Sequence, residues 1–578
     1  MRYPPYLVAE QLEGQLGDPR EPSSAIPLAE SVRLDELAEF PAAACSRLDQ
    51  LGVPAFYVPA RYGGRLTGLD QLLQVFRAVS RRDLTAAIAH HKTFLGCVST
   101  WVAGEPGAAG RLAERVRAGA VVAWGLTEPG HGSDLLAGEL TARPAPGGFR
   151  LDGRKWLINN ATRGELITVL ARTDPAGGPR AFSSLLVDKR RVRGCAPLPA
   201  EPTLGIRGAD ISGLSFSGTV VGPDALIGPL GGGLEITLRS LQLTRTLCAG
   251  LTLGALDRGL RIGTGFALAH RMYGRVLAEL PQSARMLTET YADVLLCEAL
   301  GTFAARSAHG LPGELSIGSA VSKYLVPTVG ERALGRLGQL LGARAFLRNT
   351  FADGVFQKVE RDHRIVGIFD GSTVVNLVSL ITQFPVLARA STAGAHDQAA
   401  LHATSRLAEP LPGFDPSGLQ LLARGGDSVL AGLPAAAARA ATCAAQGELA
   451  AETATAAAEL ASLAEQLHVE LAAQRPVARN LPPAAFDLAE RYCWIYAGAA
   501  CLHLWLANRD RLDLVPDLWR QGRWLAACLG RVLAQLLPST GEDGETVLDE
   551  LLPTLLCQYR QGQLFSPLHC QLAEAAPV

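Results

Sequence analysis

The stretch that most limits how this chain can fold is Gly125-Leu126-Thr127-Glu128-Pro129-Gly130-His131-Gly132-Ser133-Asp134. An apolar run with a tryptophan in it, residues 120–126, reads as a buried strand that breaks into a turn rich in glycine and hydroxyls. There the backbone can approach a flat or anionic ligand with no side chain in the way. The stretch points to a ligand loop at a strand end.

Periodicity divides the rest. Residues 1–120 have apolar positions at three- and four-residue spacing, around Leu72, Leu73, Val75, Phe76 and Val79, and predict helices. Residues 121–235 change to strand-like runs, 149–158, 166–172, 182–188 and 214–221, and predict a mostly antiparallel β domain. Helices resume over 236–388, where Leu280, Ala284, Leu287, Tyr291 and Val294 mark a bundle helix across 276–295. A connection rich in Ser, Thr, Gly and Pro, 389–425, reads as a linker to a further helical domain, 426–578, in which Leu460, Leu463, Leu467 and Leu471 form one stripe.

A chain of 578 residues with net charge -1 and dispersed Lys and Arg has no footprint for nucleic acid. Its 11 cysteines are scattered singly, without CxxC or a Cys/His cluster, so neither a metal site nor a disulfide framework is expected. With no secretory or peroxisomal signal read at the ends, the expected location is the cytoplasm. The longest apolar run, 493–507, contains His503 and falls short of the ~20 residues a membrane span needs, so it reads as a buried helix.

As a pattern, GLTEPG followed by GSD resembles the flavin-binding loop of the acyl-CoA dehydrogenase family. Other segments resemble that family in its order: VPARYGG with Arg81-Arg82-Asp83, GRKWLINN at 153–160, LGIR at 204–207, RMYG at 271–274, QLLG at 339–342, Arg361-Asp362 and IFDGS at 368–372. The resemblance covers roughly residues 30–390. It implies an α+β fold: N-terminal helical domain, central β domain, C-terminal four-helix bundle, here with an additional all-α domain as in the very-long-chain branch and the acyl-CoA oxidases.

By this resemblance the chain is a homodimeric FAD enzyme that desaturates an acyl thioester, carried on coenzyme A or an acyl carrier protein. Electrons leave to an electron-transfer flavoprotein or to oxygen. Asp370 stands where the family has the glutamate that takes the α proton. Read alone, Asp-Gly-Ser before an apolar run is also an ordinary helix cap. Flavin contacts transfer to Trp124, Leu126, Thr127, Gly132, Ser133, Trp156, Asn159 and Ser372, with Arg271, Gln339 and Gly342 reaching the flavin of a partner subunit. Ser133, Arg245 and Gly371 transfer as substrate contacts.

Six positions depart from the pattern, two of them Ala343 and Ala345, which replace glycines after Gly342. Asp370 is one methylene shorter than glutamate, and His131 replaces a small residue. Asn159 replaces a threonine, and Leu157 replaces an aromatic that often covers the ring. Trp156 would face the opposite way to Leu157 on a regular strand. Two other readings stand beside the dehydrogenase: a flavin oxidase or monooxygenase resembling the nitroalkane oxidases, and a subunit without catalytic function.

Overall fold

A computed structural model describes residues 2–475, 480–510, 514–537 and 545–574. Helices come first, a sheet second, and helices again to the end.

In the N-terminal part the amphipathic helix Leu69–Ser80 is followed by Leu84–Ala103, which Asp83 caps by accepting the Thr85 N–H at 2.9 Å. The second of these is buried nearly all round, because it lies between the sheet and the bundle. Gly96 makes that possible: a Cβ there would stand 2.4 Å from the Val122 carbonyl oxygen. Thr168 Oγ1 donates to the Gly96 carbonyl at 2.7 Å, fixing the helix on the sheet.

The sheet strands are β1 Val122–Gly125, β2 Thr141–Ala145, β3 Gly148–Asn159, β4 Leu166–Arg172, β5 Phe182–Asp188, β6 Cys195–Leu198, β7 Ile211–Val221 and β8 Leu226–Ile227. Their order is β6-β7-β3-β2-β4-β5-β8, with β1 parallel to β4 and most other pairs antiparallel. The register slips between Trp156 and Ile158, where Leu157 takes a left-handed backbone, φ 54. This bulge corrects the simple alternation expected there. One extra residue shifts the phase, so Lys155 and Ile158 both turn inward while Trp156 and Asn159 share the other face.

The bundle comprises Gly233–Ala269, Pro281–Gly310, Leu315–Leu341 and Thr373–Ile381. The helix expected from 276 begins at Pro281; residues Arg271–Met272 and Arg275–Val276 pair instead as a short hairpin. Gly254 allows the 37-residue helix Gly233–Ala269 to touch the N-terminal domain, since a Cβ would lie 2.6 Å from the Arg81 nitrogen.

Beyond the bundle, Ala451–Ala473, Pro483–Asn508 and Arg523–Leu536 pack as further helices. The apolar run 493–507 forms the largely buried C-terminal part of the second. The stretch read as a linker carries the helix Gln398–Ser405 and is tied down: Arg306 donates to the carbonyls of Thr404 at 2.7 Å and Arg406 at 2.7 Å. One apolar core runs through the N-terminal helices, the bundle and the added helices, whereas the sheet keeps a separate one. Among the described residues no single helix is long and apolar enough to cross a membrane.

Candidate active site

The glycine loop is braced from beneath. Lys155 Nζ donates to the Leu126 carbonyl at 2.9 Å and to Glu128 Oε1 at 2.7 Å. The Glu128 carboxylate also accepts the N–H groups of Glu139 and Leu140, at 2.6 and 3.1 Å. Burial opposes its ionisation, but Lys155 and the two N–H groups prevail and hold it below the usual carboxylate range. The strand end is thereby fixed against β3.

On the open side, Thr127 Oγ1 donates to the Trp156 carbonyl at 2.7 Å and the Trp156 N–H to the Thr127 carbonyl at 3.1 Å. Trp156 Nε1 is committed to Glu201 at 2.8 Å. His131 closes a tight turn by exchanging backbone hydrogen bonds with Glu128, and its ring pairs with Glu139 at 3.3 Å. Leu126 is half-buried, while Gly132 and Ser133 are exposed. Trp124 Nε1 and both amide atoms of Asn159 are buried with no partner in the chain. Buried polar atoms are costly when unpaired, so this face suits a ligand that brings both donors and acceptors.

Asp370 lies in the turn before Thr373–Ile381, with a left-handed backbone at φ 56. Arg245 Nε donates to its carbonyl at 2.9 Å. Gly371, at φ 97, leaves room for that guanidinium: a Cβ would stand 2.9 Å from Arg245 Nη2. The helix cap is Ser372, whose Oγ accepts the Val375 N–H at 3.4 Å. The Asp370 carboxylate therefore has no capping duty.

It faces Lys92 instead. Nζ lies 3.3 Å from Oδ2 and 3.4 Å from Oδ1, and 3.6 Å from the centre of the Phe369 ring. Cys248 Sγ is 3.8 Å from Oδ2; burial pushes its thiol up to about 12, so it stays protonated. Phe76, Leu95 and Leu251 line the narrow cleft beside these groups. Sequence reasoning missed Lys92, yet a signal existed. It is the only Lys, Arg, Asp or Glu in Leu84–Ala103, and a lone charge on a helix buried nearly all round needs a partner.

Arg271, Gln339 and Gly342 do not join either group. Arg245 and Ala269 are 24 residues apart on one helix, about 36 Å at 1.5 Å per residue, and Arg271 lies beyond its end. Arg344 sits 5.1 Å above the Phe266 ring at that end, which places the loop after Gln339 there too. All three are exposed, beside Tyr273 and Phe346, each 88% exposed.

Residues 123–219 match the family model described as the acyl-CoA dehydrogenase middle domain, and 231–383 the C-terminal domain. The probable acyl-CoA dehydrogenase FadE25 of Mycobacterium tuberculosis is 26% identical over 352 residues, 60% of this chain and 88% of that protein. The human mitochondrial short-chain specific acyl-CoA dehydrogenase is 26% identical over 386 residues, covering 60% and 83%. Among solved structures, butyryl-CoA dehydrogenase of Megasphaera elsdenii aligns with TM-score 0.59 at 20% identity over 64% of this chain and 96% of that one. An acyl-CoA dehydrogenase of Bacillus anthracis complexed with FAD aligns with TM-score 0.69 at 18% identity over 96% and 95%, so its likeness extends through the added helices.

Proposed function

This chain belongs to the acyl-CoA dehydrogenase family through its middle and C-terminal domains, and from that premise we propose that it is a FAD-dependent oxidoreductase desaturating an acyl thioester between Cα and Cβ. The observation that carries the reading is the Asp370 carboxylate, largely buried beside a mostly apolar cleft and relieved of helix capping by Ser372. Bound FAD supplies a two-electron acceptor for the hydride leaving Cβ. Trp124, Thr127, Ser133 and Asn159 would hold it, and the unpaired atoms of Asn159 and Trp124 fit a group with both donors and acceptors.

Asp370 takes the α proton: the Cα–H bond breaks and a carboxyl O–H bond forms. Arg245 and Gly371 set where that carboxylate starts, and Phe76, Leu95 and Leu251 keep water from it. By the family resemblance Arg271, Gln339 and Gly342 would serve the flavin of a second copy in a homodimer, and the place of Arg271 about 36 Å or more along the helix from Arg245 is consistent with that reading. The electrons would leave the site to a separate flavoprotein or to oxygen.

The test follows the visible spectrum of the purified protein, without oxygen, as acyl thioesters are added. A flavin band near about 450 nm that bleaches with a thioester, and fails to bleach in Asp370→Asn, is the expected result. A bound flavin that no thioester reduces would sink the assignment. Asp370→Asn should slow reduction by about 10²–10⁴, the usual worth of a positioned base.

A further inference from the structure

The environment of Asp370 holds more positive charge than the proposed proton transfer needs. Lys92 is paired with it, Arg245 is bonded to its backbone carbonyl, and Lys323 lies 5.6 Å from the neighbouring Phe369 ring with its Nζ donating to the Val366 carbonyl at 2.6 Å. All three are at least largely buried. Among the described residues, no carboxylate other than Asp370 is within ion-pair distance of Lys92, and none is within that distance of Arg245 or Lys323. Three cations thus share one carboxylate in a place where an unmatched charge is expensive. The same ion pair occupies the base, since both Asp370 oxygens face the Lys92 ammonium, at 3.3 and 3.4 Å.

An anion arriving with the substrate would relieve both conditions. Lys92 can change partner at little cost, because its ammonium keeps the face of Phe369 while it leaves the Asp370 oxygens. We propose that Lys92 determines substrate choice: it binds a carboxylate carried on the acyl group itself, and in doing so releases Asp370 to act as base. The substrates are then mono-thioesters of dicarboxylic acids, and base release is tied to binding the right acyl group. The inference rests on the dehydrogenase reading above.

Flavin reduction is compared for succinyl-, glutaryl- and adipoyl-CoA against butyryl-, pentanoyl- and hexanoyl-CoA, chains of matched length. The wild-type enzyme should favour the best carboxylated thioester by about 30-fold or more in kcat/KM, the scale of one buried charge pair. Lys92→Met should invert the order, lowering the carboxylated rates and raising the uncharged ones. Lys92→Arg should keep the preference.

A second readout needs no turnover. Asp370→Asn, titrated calorimetrically with glutaryl- and pentanoyl-CoA, should bind the former more tightly, and Lys92→Met in that background should remove the difference. Equal affinities, an uncharged preference in the wild type, or a Lys92→Met variant that loses both substrate classes alike would overturn the proposal while leaving the dehydrogenase standing. Reduction by none of the six would overturn this inference, whereas the dehydrogenase reading falls only if thioesters of every chain length fail to reduce the bound flavin.

Discussion

Two clusters of buried charge lie on the same long helix, Gly233–Ala269, and follow opposite rules. Towards its C-terminal half, Asp257, Arg258 and Arg261 meet Arg77, Arg81 and Arg82 from the N-terminal domain, Glu13 from the first helix, Glu298 from the bundle and Glu574 from the last described residues. Arg77 reaches Asp257 at 2.7 Å and Glu298 at 2.8 Å, and Arg258 reaches Glu574 at 3.0 Å. Five arginines face four carboxylates there. About three turns earlier, around Arg245 and Cys248, three cations face Asp370 alone. A matched cluster ties distant parts of a chain together, whereas an unmatched one is costly to fold and points to something that binds.

The comparison breaks most visibly if the matched cluster can lose a carboxylate cheaply. Glu574→Gln strands Arg258 and Arg261, leaves Arg81 with Glu13 alone, and should cost about 3–5 kcal/mol in denaturant unfolding, the penalty for an orphaned buried charge. Its pH signature is distinct. Burial would raise Glu13 and Glu574, but the arginines outweigh it and hold both at about 2. Their folded values lie below the unfolded one, so their stabilisation is present above about pH 4.5 and fades as pH falls towards 2. An acid transition of Tm in that window, weakened in Glu574→Gln, is expected.

Glu314 sharpens the contrast as a carboxylate with no cation in ion-pair distance among the described residues. It accepts Ser428 N–H at 2.8 Å and Ser428 Oγ–H at 2.6 Å, and burial, helped by Asp427, raises it to about 7. The sign is reversed here: the neutral form suits the fold, so stability is full below about pH 4.5 and falls as pH rises through 7. Glu314→Gln should flatten the decline of Tm between about pH 5 and 8, a change of at most about 3 kcal/mol.

The smallest effect is expected at Lys323. Lys323→Met loses one hydrogen bond to Val366 but removes an unmatched buried ammonium, so stability should change by less than about 1 kcal/mol. A loss as large as that of Glu574→Gln would erase the distinction between the two clusters.

Much of the architecture was legible in the residues. Strands 166–172 and 182–188 are found as read, because alternation and β-branched runs act over a few neighbours. Arg81-Arg82-Asp83 and Arg361-Asp362 were visible as motifs, but their use was not. Asp83 and Asp362 grip the same Lys358 at 2.7 and 2.6 Å, and Asp362 also accepts the Ile206 N–H at 2.5 Å, so these motifs bind parts of the fold to one another. The stretch read as a linker looked loose from its composition, whereas Arg306 pins it from another helix.

At the site, the sequence by itself determined which groups are present: a glycine turn at a strand end, a carboxylate in IFDGS, and an arginine on the helix that follows the sheet. It also determined where helices give way to strands, since those choices rest on neighbours a few residues apart. Only the tertiary structure decided that the carboxylate meets Lys92 across 278 positions and that Ser372 does the capping. It also decided that a bulge at Leu157 puts Trp156 and Asn159 on one face, and that Arg271 stands a helix length away. The reason is physical: hydrophobic periodicity is local, but the partner of a buried charge is whichever group the packed core brings within a few ångströms.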